Sequence, residues 1–289
     1  MNLLFRILSR LPLGGLHLLG WMLGWIAFIA ASGYRKNFLH NAALAGIQSG
    51  ARWAAVGEAG KLVAELPRLW IGAPVAIHWD GAACIEEALA SDRGILFLTP
   101  HMGCFEVTAQ AYAQRFGQPL QRPITVLFRP PRKEWLSKLV QKSRARAALL
   151  TAPTTLAGVK QMMKALKFRH SVGLLPDQVP PNHQGVWSPF FGQPAYTMTL
   201  SARLAMACNA RVLVAWGERL SWGRGYVIHV QALDLVQDMD LAGWVGQVNR
   251  AMEQLILKNP AQYLWGYDRY RQPRDEFALA GLPANGPAP

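Results

Sequence analysis

Two histidines in the chain are followed five residues later by a carboxylate: His101 by Glu106, and His229 by Asp234. A carboxylate that accepts the Nδ1 proton of an imidazole fixes its tautomer and leaves Nε2 free as a base. Such a pair needs no side-chain nucleophile. It can deprotonate an acceptor hydroxyl, and general-base catalysis of this kind contributes about 10²–10⁴-fold. Spacing does not separate the two pairs, but context does. His229 falls inside the alternating run Tyr226–Val230, where a structural or surface histidine is the default. His101 directly follows the apolar run Ile95–Leu98, with Pro100 before it and Gly103 after it. That is a strand end feeding a helix, the place where open α/β sheets hold their ligands. Residues five apart on one continuous helix diverge by about 140°. His101 and Glu106 therefore meet only if His101 lies in the turn and Glu106 in the first helical turn, where the positive helix end favours an ionised carboxylate. A purely structural His101 is the alternative that the pattern alone leaves open.

Other chemistries lack their residues. The chain has no GxSxG nucleophile elbow, no GxxxxGK[ST] phosphate loop, no complete GxGxxG after a strand and no HExxH. Its seven histidines show no metal-ligand clustering, and its three cysteines (Cys84, Cys104, Cys208) form no CxxC pair, which argues against a disulfide framework or a structural zinc site.

The elements that must position His101 read as an α/β domain. Residues 35–70 are helical in pattern, with Glu58, Lys61, Glu65 and Arg68 spaced for one face. After Pro74, strand-like and helical runs alternate. Strands are expected at Val75–Trp79, Ile95–Thr99, Ile124–Phe128, Val172–Leu175, Arg211–Trp216 and Tyr226–Val230. Helices are expected at 82–90, 103–115, 134–149, 154–168, 197–208 and 241–258. Prolines at 180, 181 and 189 mark a loop between the fourth strand and the 197–208 helix. The reading is one mixed-sheet α/β domain flanked by helices over 35–275, preceded by a hydrophobic membrane helix within 1–34 and followed by a flexible Pro/Ala/Gly tail at 276–289.

The N-terminal run from Leu11 to Tyr34 holds 24 residues without Asp, Glu, Lys or Arg, bracketed by Arg6/Arg10 and Arg35/Lys36. As a helix it would be about 36 Å long, enough for a hydrocarbon core of about 30 Å. His17 and glycines at 14, 15, 20 and 24 make it a mediocre span. A signal peptide has a shorter apolar stretch, and a buried core helix is rarely this long. A retained anchor or interfacial helix fits best. Its flanking charges tie at two against two and do not orient it.

Charge narrows the partners. The chain has 289 residues, is 51% apolar and only 16% charged, and carries a net +13, which excludes disorder and coiled coil and asks for an anionic partner. Residues 107–176 hold thirteen basic groups and one acid, Glu134, a net +12. Lys138, Lys142 and Arg146 fall four apart, a stripe along one helix face, and with Arg132 and Lys133 they read as an anion-facing surface. Aromatics in this segment are scattered, which argues against nucleic acid.

The segment Thr99-Pro100-His101-Met102-Gly103-Cys104-Phe105-Glu106 resembles the HX4D/E block of the glycerolipid and lysophospholipid acyltransferases. More narrowly, the chain resembles the bacterial lipid A biosynthesis (lauroyl/myristoyl) acyltransferases. Five further blocks match in the family's order, Arg35 to Leu44 before it and LFRPPRKEWL (127–136), LLPDQ (174–178), SPFFGQPAYT (188–197) and NPAQYLWGYDRYR (259–271) after it. The chain departs at Met102–Phe105, where the family has a bulkier Asn-Trp, and at Tyr267–Tyr270, where it has His-Arg-Arg-Phe. The resemblance implies transfer of an acyl chain from acyl carrier protein to a hydroxyl of a phosphorylated lipid A precursor, on the cytoplasmic side of the inner membrane. His101 would be the base with Glu106 its partner, Arg129 would bind phosphate or stabilise the oxyanion, and Asp177 would shape the site or contact the acceptor. The basic surface would meet the acidic carrier or the acceptor's phosphates. No metal or other cofactor is called for, since a thioester is already activated. Another acceptor lipid, a thioesterase, and a non-catalytic anionic-membrane-binding protein are the competing readings.

Overall fold

The structure, a computed structural model, describes residues 3–128, 148–236 and 239–275. Five helices come first: α1 (Leu3–Arg10), α2 (Leu13–Ala30), α3 (Ser32–Leu44), α4 (Ser49–Ala64) and α5 (Leu66–Ile71). Then follow β1 (Ile77–Asp80), α6 (Ala82–Ala90), β2 (Ile95–Leu98), α7 (Phe105–Tyr112) running into a π-turn at Ala113–Gly117, β3 (Ile124–Phe128) and β4 (Leu149–Pro153). Next come α8 (Leu156–Lys167), β5 (Ser171–Leu174), β6 (Gly185–Phe190), β7 (Gln193–Met198), α9 (Leu200–Cys208), β8 (Arg211–Arg219), β9 (Tyr226–Ala232) and α10 (Leu241–Lys258).

Seven strands form one mixed sheet in the order β1-β9-β8-β2-β5-β3-β4. All neighbours are parallel except β8 and β9. The central β2 reads Ile-Leu-Phe-Leu and is buried at every position, as a strand covered on both faces must be. Leu96 and Leu98 pack into one core, with Val172, Leu174, Val212 and Val214 of the neighbouring strands and residues of α3, α4, α8, α9 and α10. Ile95 and Phe97 point the other way, into a second core with Leu213, Ala215, Ile228 and residues of α5, α6 and α7. The edge strand β1, Ile-His-Trp-Asp, alternates half-buried and exposed instead.

Two stretches differ from the sequence reading. The expected helix over 134–149 falls outside the described residues apart from Ala148 and Leu149, and Leu149 opens β4. The expected loop after β5 holds an antiparallel ribbon, β6 with β7, turned by Phe191 and Gly192 at φ 46° and 72°. Two positive φ values in a two-residue turn are what a tight hairpin requires. Pro189 faces Pro194 across this ribbon. Proline is depleted in sheets because it cannot donate to a ladder, but both strands of an isolated pair are edges. Thr197 and Met198 belong to β7, so the following helix starts at Leu200 and not at 197.

The N-terminal helices are bound into the domain. Leu13 belongs to the second core, and Phe28, Phe38 and Val56 to the first. α2 crosses α4 at close range through glycines on both helices. A Cβ on Gly24 would run into the Val56 carbonyl, and one on Gly60 into the Gly20 carbonyl.

Candidate functional site

His101 lies three residues past the end of β2, and Asp177 three residues past the end of β5. These strands are adjacent, parallel and in register, Leu98 opposite Leu174, and the Thr99 amide extends the ladder by donating to the Leu174 carbonyl at 3.0 Å. Equal overhangs from paired strand ends therefore bring the two side chains together. His101 Nδ1 lies 2.7 Å from Asp177 Oδ1, and the His101 amide donates to Oδ2 at 2.9 Å. The Asp177 side chain is 1% exposed and that of His101 18%. Burial alone would raise the Asp177 pKa, but the facing His101, through its charge, its ring hydrogen bond and its amide, holds it below the ordinary value, with Arg269 helping. An ionised Asp177 can only accept, so Nδ1 carries the proton and Nε2 is the basic nitrogen. Among the described residues Nε2 has no hydrogen-bond partner.

The Nδ1 partner expected from the sequence was Glu106; the structure places Asp177 there. Strand order, which is not local in sequence, makes the difference. Glu106 sits in the first turn of α7, next to Phe105, whose ring meets the His101 ring edge-on at 5.1 Å between centroids. Arg129 and the basic set Arg132, Lys133, Lys138, Lys142 and Arg146 lie outside the described residues.

His229, the other histidine of the pair, has both ring nitrogens engaged. Nδ1 is 2.8 Å from Asp80 and Nε2 2.8 Å from Glu218, and its ring stacks on Trp216. Neither nitrogen is free to act as a base.

The turn after His101 is clamped from two sides. The Leu264 amide donates to the His101 carbonyl at 3.1 Å, the Gly103 amide to Gln262 at 2.8 Å, and the Cys104 amide to Gly217 at 2.8 Å. Gly103 has φ +55° and sits against the Gly217 carbonyl, so no side chain fits there. Behind the turn lies a buried ionic cluster. Arg219 donates to Glu65 through Nε (2.8 Å) and Nη2 (2.7 Å), to Glu58 through Nη1 (2.7 Å), and to the Gly103 carbonyl at 3.1 Å. Tyr226 donates to Glu65 at 2.8 Å, and His17 of α2 lies 3.2 Å from the same carboxylate. Burial would raise the Glu65 pKa, yet Arg219 and His17 bring it down to about 2. The same burial and the Glu65 charge push the Tyr226 phenol up.

On the other side of the pair, burial and the adjacent Asp177 carboxylate push the Tyr263 phenol well up. Arg269, 2% exposed, donates to the Tyr196 carbonyl at 2.8 Å and to Thr197 Oγ1 at 2.6 Å. Arg219, Tyr263 and Arg269 were not picked out by sequence reasoning. The terminal block 259–271 was the available signal for the last two. Glu65, spaced with Glu58, Lys61 and Arg68 for one helix face, is fully buried.

Beside Phe105 an apolar cavity of about 50 Å³ opens between α7 and the sheet, lined by Phe97, Thr99, Tyr112, Val126, Leu174 and Ile228 among others.

The protein is thus an α/β protein whose open, mostly parallel sheet carries a histidine–aspartate pair at the carboxyl ends of two central strands. Residues 51–272 match the family described as bacterial lipid A biosynthesis acyltransferase, and the chain belongs to that family. A lipid A biosynthesis lauroyltransferase of Escherichia coli (strain K12) is 27% identical over 199 residues. That match covers 66% of this chain and 60% of the relative, so the chain aligns with less than two thirds of that protein's length.

Proposed function

We propose that the protein moves a fatty acyl chain from an acyl carrier protein thioester to a hydroxyl of a lipid A precursor. The observation that carries this reading is the His101–Asp177 pair, whose Nε2 has no partner among the described residues, with Phe105 between the His101 ring and the apolar slot. His101 Nε2 takes the proton of the acceptor hydroxyl as its oxygen attacks the thioester carbonyl. The C–O bond forms, the tetrahedral intermediate collapses, the C–S bond breaks, and the proton on Nε2 passes to the departing thiolate. Asp177 holds the ring in the productive tautomer and stabilises the imidazolium while it lasts. The slot beneath α7, about 50 Å³, takes no more than a few methylenes of the acyl chain. Glu106 adds a second carboxylate in the turn that follows the histidine, Arg129 serves the oxyanion or an acceptor phosphate, and the 132–146 cations meet the acidic carrier.

The reaction would run at the cytoplasmic side of the inner membrane, where the carrier is found. The support for membrane attachment is α2, long and apolar enough to cross a bilayer by length and composition, yet with one face buried on the domain. His17 is bonded into the Glu65 cluster and Gly20 and Gly24 are packed on α4, so we place α2 in the interface with its opposite face toward the lipid.

The test is transfer of labelled acyl chains from acyl carrier protein to a lipid A precursor by the purified protein, with His101→Ala as control. Transfer that is lost in the variant is the expected result. Wild-type transfer by His101→Ala would overturn the mechanism. Acyl release to water at the same rate with and without acceptor would make the protein a thioesterase.

A further inference from the structure

A second cavity, of about 820 Å³, lies between α5, β1 and α7, away from the His101–Asp177 pair, with Trp79 forming a wall common to it and the apolar slot. Its lining is divided. One side carries Arg68, Gln110, Gln114, Arg115 and Gln118; the other carries Leu69, Val75, Ile77 and Val107. No Asp or Glu lines it among the described residues.

Two of the polar groups have no hydrogen-bond partner among the described residues. Gln110 is 7% exposed and its amide Nε2 is buried without a hydrogen-bond partner among the described residues, as is Arg68 Nε. An unpaired buried donor is costly, and a native protein keeps one where something else satisfies it. Arg115 stands at the rim over the Trp79 ring, 5.3 Å from its centroid, with Glu86 3.6 Å away as its exposed counter-ion. The groups waiting are therefore donors and cations, which ask for an anion. The opposite wall asks for hydrocarbon. A volume of this size suits a small amphiphile.

The location says where such a ligand comes from. Gly72, in the cavity wall, is packed on the Ser9 carbonyl of α1, and Phe5 of α1 lies against Trp70 of α5. The free face of α1 shows Leu3, Leu4 and Ile7 to the outside. The cavity thus adjoins an exposed apolar helix.

We infer that this cavity is a non-catalytic site for an anionic phospholipid taken from the bilayer, its phosphate held by Arg68, Arg115 and the Gln110 amide and its chains along the Leu69–Ile77 wall. The site stands whether or not His101 transfers acyl chains.

Calorimetric titration with dihexanoyl-phosphatidylglycerol, below the concentration at which it forms micelles, tests it. One lipid should bind per chain. Dihexanoyl-phosphatidylcholine and sn-glycerol 3-phosphate should each bind at least about tenfold more weakly, the first for lack of net charge and the second for lack of chains. Arg68→Gln with Arg115→Gln should lower phosphatidylglycerol affinity at least about tenfold while acyl transfer in detergent is unchanged. Should the double variant fail to fold, Arg115→Gln alone, at an exposed position, should still weaken binding. Equal affinity for the choline lipid, equal affinity for glycerol phosphate, or undiminished binding by folded variants would each overturn the inference.

Discussion

At the scale of single residues, Asp177 and Glu65 are two fully buried carboxylates with opposite duties. Asp177 touches the imidazole that does the proposed chemistry. Asp177→Asn keeps the shape but replaces one acceptor oxygen by a donor and removes the charge facing an imidazolium. Acyl transfer should fall by about 10²–10⁴ in kcat with little change in KM for the acceptor. Steady-state kinetics on the purified variant checks this, and kcat within a few-fold of wild type would remove Asp177 from the mechanism. Glu65 touches no reacting atom. It neutralises Arg219, which is 4% exposed and holds the Gly103 carbonyl. Glu65→Ala leaves a buried guanidinium with only Glu58 to answer it and should cost about 3–5 kcal/mol in denaturant unfolding. The pH dependence has a defined sign. The folded state lowers the Glu65 pKa from 4.5 to about 2, so the unfolded chain binds its proton first as the solution is acidified. The stabilisation is complete above about pH 4.5 and is lost as pH falls toward 2, about 3 kcal/mol in all. Unfolding of Glu65→Gln across this window should be correspondingly flatter than that of the wild type.

At the scale of elements, the α2–α4 crossing and the β2–β5 pairing set the geometry. Gly24→Val would drive a side chain into the Val56 carbonyl and force the helices apart, and should cost about 1–3 kcal/mol in thermal or denaturant unfolding. Gly50, with open space around its Cα, is the matched control: Gly50→Ala should be neutral or slightly stabilising. This crossing also shows what could be read locally. Glycines at 20 and 24 looked like defects in a membrane span, when they are the contact surface of a docked helix. The buried strands β2 and β5 were legible because an apolar run between turn signals needs no partner to identify it. The β6–β7 ribbon was hidden by its prolines, and β4 by apolar residues equally suited to a helix end. His101 at a strand end could be found from its neighbours, Ile95–Leu98 before and Gly103 after. Its partner could not. Seventy-six residues separate His101 from Asp177, and only the placement of β5 beside β2 brings them together.

At the scale of the whole molecule, apolar and basic surfaces must be satisfied together. α2 turns Leu16, His17, Gly20 and Gly24 inward and leaves Leu18, Trp21, Ile26 and Ile29 outside, 46–68% exposed. α1 adds Leu3, Leu4 and Ile7. Under the proposed membrane attachment, these are the side chains that would enter lipid. A spanning α2 would have to strip His17 from Glu65 and open the glycine crossing, whereas an interfacial α2 keeps both. The two arrangements respond differently to charge on the outer face. Ile26→Asp with Ile29→Asp leaves the buried face intact, so the protein should fold with unchanged unfolding behaviour. Each lost isoleucine forfeits about 1.5–3 kcal/mol of burial in lipid, about 10²–10⁴-fold in partition for the pair. Sedimentation with phosphatidylglycerol-containing vesicles should therefore show the double variant largely in the supernatant, with the wild type pelleted and partly released by raised salt. A variant that stays bound after high salt and alkaline washing would show instead that α2 is threaded through the bilayer, and the interfacial placement would be wrong.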